Sequence, residues 1–222
     1  MASQVAEGLP TDELRQEHRQ IERVLMVMGR LVGRAERGQG FEAAALRKCV
    51  DFLRLFADAC HHTNEEQILL PLLDKRGIRA DHPAVAGILR EHVEGRKQVS
   101  TMRSSLTAAA RGDEGARRRF CEAARHYLAL LRQHINREDH VLFHLADQAL
   151  TSRDRADLHA QIQATYARRF EGRTAASLSA VADDLANAWI GKQLRRRLGI
   201  LPAAGRRTRA ASGRARRPRA AT

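Results

Sequence analysis

Aromatic residues are scarce in this chain, which has one Trp, two Tyr and six Phe among 222 residues. Runs of Val, Ile, Thr and Tyr, which are typical of strands, are also few. Ala, Leu, Arg, Glu and Gln are abundant instead, and these residues favour helices. A hydrophobic content of 43% is enough for the core of one domain of ordinary size. We therefore expect an all-α protein.

Long apolar segments and paired cysteines are lacking as well. The longest apolar run, residues 68–73, is too short to cross a bilayer, and the first residues contain no apolar core of a signal peptide. Cys49, Cys60 and Cys121 form no Cys-x-x-Cys pair, which argues against a disulfide framework or a zinc knuckle. These features predict a cytoplasmic protein with reduced thiols.

Acidic residues are missing from residues 191–222, which contain eleven Lys or Arg. Because the whole chain carries a net charge of +13, residues 1–190 carry only +2. The basic charge therefore belongs to a tail and not to a binding face on the folded part. We expect residues 199–222 to be disordered, since they are dominated by arginine and lack the apolar residues that offset ordering entropy. Without aromatic residues for base stacking, this tail is expected to make only weak electrostatic contact with nucleic acid or anionic surfaces.

Apolar residues at helical spacing divide residues 10–150 into four amphipathic helices. The pattern predicts helices from about residue 11 to Gly38, from 41 to 75, from 82 to 112, and from Asp113 onward. The third apolar stripe includes Leu89 and the fourth includes Val141. Short polar connections imply antiparallel neighbours, so the sequence predicts an up-down-up-down four-helix bundle. Two further helices, at about 151–170 and 175–197, are predicted to pack outside the bundle as an appended segment, residues 151–198.

Histidine and glutamate interrupt each of the four apolar stripes. His18 and His92 are single interruptions, whereas His61 with Glu65 and His134 with Glu138 are each one helical turn apart and so share a face. His61 follows His18 by 43 residues and His134 follows His92 by 42, so the same arrangement of half a site occurs twice. The predicted ligands of one inward-facing metal centre are His18, His61, Glu65, His92, His134 and Glu138.

Four imidazoles and two carboxylates are too many for a four-coordinate zinc ion. They suit two metal ions that each take two histidines and share both carboxylates, with coordination positions left open. We expect two non-haem iron ions with an oxo or hydroxo bridge, although the donor set suits manganese equally. A ferritin-type oxidase is the structural alternative, but such bundles use Glu-x-x-His at i to i+3, which is the reverse order.

Three segments resemble the hemerythrin-like, or HHE cation-binding, family. The segment CHHTNEEQILLPLL is similar to its HHxxEE signature, and REHVEGR and RQHINREDHVLF are similar to its later segments. The resemblance covers roughly residues 10–150 and implies a four-helix bundle with iron ligands at the same six positions. It also implies binding of oxygen or a related small molecule, such as nitric oxide or peroxide, in sensing, storage or stress defence.

Two details depart from a simple oxygen carrier. Oxygen-carrying hemerythrins use a fifth histidine on the third helix, one turn from the first, but the corresponding positions here are Ile88 and Arg96. We therefore expect one iron to lack a fifth histidine, which argues against simple reversible oxygen carriage. His62 and Glu66 form a competing pair about 100° around the helix from His61 and Glu65, and we interpret them as outer or surface residues.

Two further functional hypotheses remain open on the sequence. One is a di-iron enzyme that turns over peroxide or oxygen. The other is an iron-responsive interaction module, in which metal occupancy stabilises the bundle and thereby presents the outer helices or the basic tail to a partner. Detectable turnover distinguishes the first hypothesis, and metal-dependent folding distinguishes the second.

Overall fold

The computed structural model describes residues 8–190, and this part of the chain is helical apart from its connections and one isolated bridge between Phe170 and Arg173. The helical segments are α1 (Asp12–Glu36), α2 (43–75), α3 (Pro83–Ala86), α4 (Ile88–Ala110), α5 (114–149), α6 (Ser152–Tyr166) and α7 (Ala175–Trp189). The prediction of an all-α fold is confirmed.

Helices α1, α2, α4 and α5 form the four-helix bundle. Each long helix packs beside two bundle neighbours: α1 beside α2 and α5, and α4 beside α2 and α5. The core contains side chains with no exposed surface, among them Ile21, Leu53 and Phe120. Burying side chains of this size stabilises the fold by about 1.5–3 kcal/mol each. The bundle thus surrounds a continuous interior onto which all four helices direct side chains.

Three segments of widened helix interrupt the bundle helices. In α2 they are Leu53–His62 and Glu65–Leu69, and in α5 the segment is Glu138–Leu142, each with the i to i+5 hydrogen bonding of a π-helix. Such segments are rare and occur frequently at functional sites. A wider turn reduces the angle between successive side chains below the value of about 100° found in an α-helix. Neighbouring residues in these segments can therefore face the interior together.

Two of the predicted core positions are exposed. Leu89 is 38% exposed because α4 begins after a break at Gly87, and Ile88 fills the interior position instead. Val141 is 50% exposed because it lies within the widened segment of α5, where Leu142 is turned inward. A strict 3.6-residue period therefore places both side chains wrongly.

The appended helices pack against the bundle. Leu158 and Ile162 of α6 join a core cluster with Leu14 and Leu69, while α7 packs beside α1 and α2. The predicted continuation of the last helix to residue 197 and the predicted disordered tail at 199–222 lie outside the described residues. Within residues 8–190, no helix combines the length and the apolar character that a bilayer crossing requires.

Candidate metal centre

The six residues selected from the sequence meet in the middle of the bundle. His18 comes from α1, His61 and Glu65 from α2, His92 from α4, and His134 and Glu138 from α5. Each of the six side chains belongs to a residue that is at most 1% exposed. The bundle therefore gathers four imidazoles and two carboxylates in an environment with almost no access to bulk water.

The carboxylates lie between the imidazoles. Glu138 places Oε2 3.2 Å from His18 Nε2 and Oε1 3.0 Å from His134 Nε2. Glu65 places Oε1 3.5 Å from His61 Nε2 and Oε2 3.4 Å from His92 Nε2. Each carboxylate thus lies within 3.5 Å of imidazoles from two different helices.

His62 is a seventh member of the cluster, and the interpretation of this residue as an outer or surface side chain is wrong. It is 3% exposed, and its ring stacks on that of His92 with a centroid separation of 3.9 Å. The physical reason is the widened helix at Leu53–His62, which turns two consecutive histidines, His61 and His62, toward the same interior. The two consecutive histidines of the HHxxEE signature were the only indication of this role in the sequence. In a regular α-helix, consecutive side chains point about 100° apart and do not both face the interior.

The seven residues form two overlapping groups of candidate ligand atoms. His18, His61, Glu65 and Glu138 form one group, in which the ligand atoms all lie within 4.8 Å of one another. His62, Glu65, His92 and His134 form the second. Glu65 belongs to both. The expected division into two histidines per metal therefore becomes two and three, with a fifth imidazole supplied by α2 and not by the third long helix.

The inner atoms of this cluster have the properties expected of metal ligands. His18 Nε2, His61 Nε2, both ring nitrogens of His62 and all four carboxylate oxygens of Glu65 and Glu138 are buried without a hydrogen-bond partner. Leaving such groups unpaired costs about 1–3 kcal/mol each, and more for charged groups. Imidazole nitrogens and carboxylate oxygens are the donor set of dinuclear iron and manganese sites. The residues present therefore fit a pair of such ions.

A second layer of carboxylates orients four of the imidazoles. The Nδ1 atoms of His18, His92 and His134 lie 2.7, 2.7 and 2.8 Å from carboxylate oxygens of Asp139, Glu66 and Glu91. His61 Nδ1 lies 2.7 Å from Glu17 Oε2. A carboxylate at Nδ1 holds the proton there and leaves Nε2 free to accept a metal ion. Sequence reasoning missed three of these four acids, although each of the four stands next to a predicted ligand in the chain.

Three of the four outer carboxylates are held by arginine. Asp139 accepts from Arg19, Glu91 accepts from Arg137, and Glu66 lies 2.5 Å from Nη2 of Arg96.

Glu17 differs from these three carboxylates, since it is 2% exposed and its hydrogen-bond partner besides His61 is a neutral amide. Asn64 Nδ2 lies 3.3 Å from its Oε1, and Tyr166 lines the same cavity as Glu17. Burial and the nearby Glu17 carboxylate raise the pKa of the Tyr166 hydroxyl. Tyr166 is the last residue of α6, so the appended segment reaches the outer layer of the cluster.

Without a metal, protons stabilise the cluster. Burial lowers the pKa of His18, but its hydrogen bond to Asp139 and the negative charge of Glu138, 3.2 Å away, outweigh burial and raise the pKa to about 10. Burial likewise opposes the shift at His92, where Glu138 and Glu65 raise the pKa to about 11. For His62, burial and the neighbouring histidines hold the pKa well below its ordinary value. Metal ions must therefore displace protons from His18 and His92.

The fold and this cluster define a metal-binding helical protein. A model of the hemerythrin HHE cation binding domain matches residues 9–146. The chain belongs to this family.

Related chains are found in mycobacteria. The chain is 26% identical over 160 residues to uncharacterized protein Mb2018 of Mycobacterium bovis and to uncharacterized protein Rv1995 of Mycobacterium tuberculosis. Each alignment covers 72% of this chain and 62% of the relative, so the chain spans about three fifths of the length of the curated relatives it matches. No solved structure matches the chain significantly.

Proposed function

We propose that the chain is a non-haem di-iron protein. His18 and His61 would hold one ion and His62, His92 and His134 the other, with Glu65 and Glu138 as the carboxylate ligands. The observation that carries this proposal is the convergence of buried ligand atoms from all four bundle helices, eight of which, on α1, α2 and α5, have no hydrogen-bond partner. The same donor set suits manganese, so the identity of the ion belongs to the proposal.

The number of ligands in each group determines whether the metal ions could also bind a small molecule. Each group offers four residues, two imidazoles with two carboxylates around His18 and three imidazoles with one carboxylate around His92, so a six-coordinate ion in either group retains free positions. A pair of iron ions supplies the capacity to bind oxygen, nitric oxide or peroxide and to exchange electrons with them. We propose that the protein binds one of these small molecules in sensing, storage or defence against oxidative or nitrosative stress.

A second function, the iron-responsive interaction module, is favoured by one contact. Tyr166 of α6 lies close to Glu17, which in turn orients His61. Metal binding at His61 would therefore change the surroundings of Glu17 and of Tyr166, the last residue of α6. In this alternative, metal occupancy changes the stability of α6 and so the surface that α6 offers to a partner.

The experiment is a measurement of metal content with optical spectroscopy. The full chain is produced in iron-supplemented cells, and iron per chain is determined for the wild type, His61→Ala and Glu138→Ala. His126→Ala is the matched control, because this histidine is about half exposed and lies outside the cluster. Spectra are recorded in air, after anaerobic reduction, and after addition of oxygen, peroxide or nitric oxide.

We expect about two irons per chain in the wild type and in His126→Ala, with absorption typical of a bridged pair, and loss of both in the two ligand variants. The spectral responses then rank the small molecules. Peroxide consumption that depends on the iron would assign the protein to the enzymes. A chain that folds well and takes up less than about half an equivalent of iron would overturn the proposal.

A further inference from the structure

A cavity of about 230 Å³ lies between α2, α4 and α5 and reaches the metal cluster at His62. Asp58 and Arg54 line it from α2, and Arg96, Ser100 and Arg103 line it from α4. This volume is below the usual range of about 300–1,000 Å³ for drug-sized ligands, and it suits a molecule of a few heavy atoms. The cavity touches the candidate metal centre through a single imidazole.

The lining is rich in hydrogen-bond donors. The lining contains three guanidinium groups, from Arg54, Arg96 and Arg103, and one carboxylate, that of Asp58. Arg96 is bonded both to Asp58 and to Glu66. Arg54 is bonded to Glu171 at 2.6 and 2.5 Å, yet its Nε atom is buried without a hydrogen-bond partner. Guanidinium groups recognise the oxygens of planar and tetrahedral anions through such donors. The lining therefore favours an anion over a cation.

His62 can donate a further hydrogen bond to the cavity, because neither of its ring nitrogens is bonded within the cluster. The other four imidazoles each have a carboxylate within 2.8 Å of Nδ1, whereas neither ring nitrogen of His62 has a hydrogen-bond partner. The nearest acid, Asp58, lies 3.5 Å from His62 Nδ1 and is bonded at 2.7 Å to Arg96. When Nε2 binds a metal ion, the proton of a neutral imidazole resides on Nδ1, on the side of Asp58. An oxygen in the cavity is the acceptor that this arrangement lacks.

We propose that the cavity is a binding site for a small inorganic oxyanion, of the size of nitrite or sulfate, which accepts hydrogen bonds from His62, Arg103 and Ser100. The anion takes the place that a carboxylate occupies behind each of the other imidazoles. Its effect on the metal pair rests on the proposed function, whereas its binding to the cavity does not. A hydrogen bond from Nδ1 raises the basicity of an imidazole that binds a metal through Nε2. The anion would therefore strengthen the binding of a metal ion by His62.

The test is calorimetric titration of nitrite and sulfate into the full chain, both metal-free and iron-loaded. Ser100→Phe fills the mouth of the cavity from an exposed position, and Ser104→Phe, exposed one turn further along α4 and outside the cavity, is its control. Arg103→Gln removes one charge from the lining, and Arg118→Gln, exposed on α5, is the matched control. Iron content is measured for every variant.

We expect one oxyanion per chain with or without iron, loss of binding in Ser100→Phe, and about tenfold weaker binding in Arg103→Gln. Both control variants should bind as the wild type does. Addition of the anion should also shift the visible spectrum of the iron-loaded wild type and leave that of Ser100→Phe unchanged. Binding that requires iron and is unaffected by Ser100→Phe would overturn the proposal, because the anion would then bind the metal directly. Oxyanion binding without iron uptake would leave the cavity site standing and refute only the proposed function.

Discussion

Glu17 Oε2 and His61 Nδ1 lie 2.7 Å apart, and this contact is one of four that link the bundle helices in a closed ring. Glu17 of α1 orients a histidine of α2, Glu66 of α2 one of α4, Glu91 of α4 one of α5, and Asp139 of α5 one of α1. Each acid is adjacent in sequence to a residue of the cluster. A residue next to an inward-facing one points toward the neighbouring helix, and this geometry generates the ring.

The ring predicts that outer carboxylates control metal affinity without touching the metal. Glu91→Gln should weaken metal binding by about 10- to 100-fold, since it removes the charge that holds the proton on Nδ1 of His134. Affinity is measured by competition with a chromophoric chelator. Glu94→Gln, on the same helix and outside both groups of candidate ligands, should bind metal as the wild type does. Equal affinities in the two variants would argue against an orienting role for Glu91.

Much of the site followed from the sequence because helical spacing determines which side chains share a face. The pairs His61 with Glu65 and His134 with Glu138 lie in one buried cluster, although His134 and Glu138 belong to different groups of candidate ligands. His62 was misplaced because the widened turn at Leu53–His62 leaves no simple mark in the sequence. The contact between Tyr166 and Glu17 was equally hidden, since it depends on how an appended helix docks and not on any local period.

The pH dependence of the metal-free protein should show two limits. The pKa values of His18 and His92 are raised to about 10 and about 11 from 6.5, so their contribution to stability is complete below about pH 6.5 and is lost as the pH rises toward 10–11. The pKa of Glu138 is lowered from 4.5, so its contribution is present above about pH 4.5 and is lost in acid.

We therefore expect the free energy of unfolding of the metal-free chain to be greatest near pH 5–6.5 and to fall on either side. Urea denaturation between pH 4 and 10 measures this profile. His18→Gln should flatten the alkaline fall, whereas His126→Gln should leave it unchanged because that histidine is about half exposed. A wild-type stability that rises steadily from pH 6.5 to 10 would contradict the protonated cluster.

His62 is expected to be required for one ion of the pair. His62→Leu should reduce metal content from about two ions per chain to about one, because the second group would retain only His92 and His134 as imidazoles. His126→Leu is the control. The number of metal ions per chain is measured by inductively coupled plasma mass spectrometry after removal of excess iron. Retention of two ions with unchanged affinity would show that His62 packs beside the centre without binding to it.

The contact between Tyr166 and Glu17 should couple α6 to the cluster energetically. Tyr166→Phe removes a hydroxyl that lies close to a carboxylate with 2% exposure, and we expect the metal-free protein to lose about 1–3 kcal/mol of stability. Glu17→Gln removes the negative charge with which the Tyr166 hydroxyl interacts. If this interaction is the origin of the effect, the double variant will be more stable than the sum of the single losses predicts, by about 0.5 kcal/mol or more. Strictly additive losses, measured by urea denaturation at one pH, would mean that Tyr166 stabilises α6 by packing alone. The appended helix would then have no energetic connection to His61.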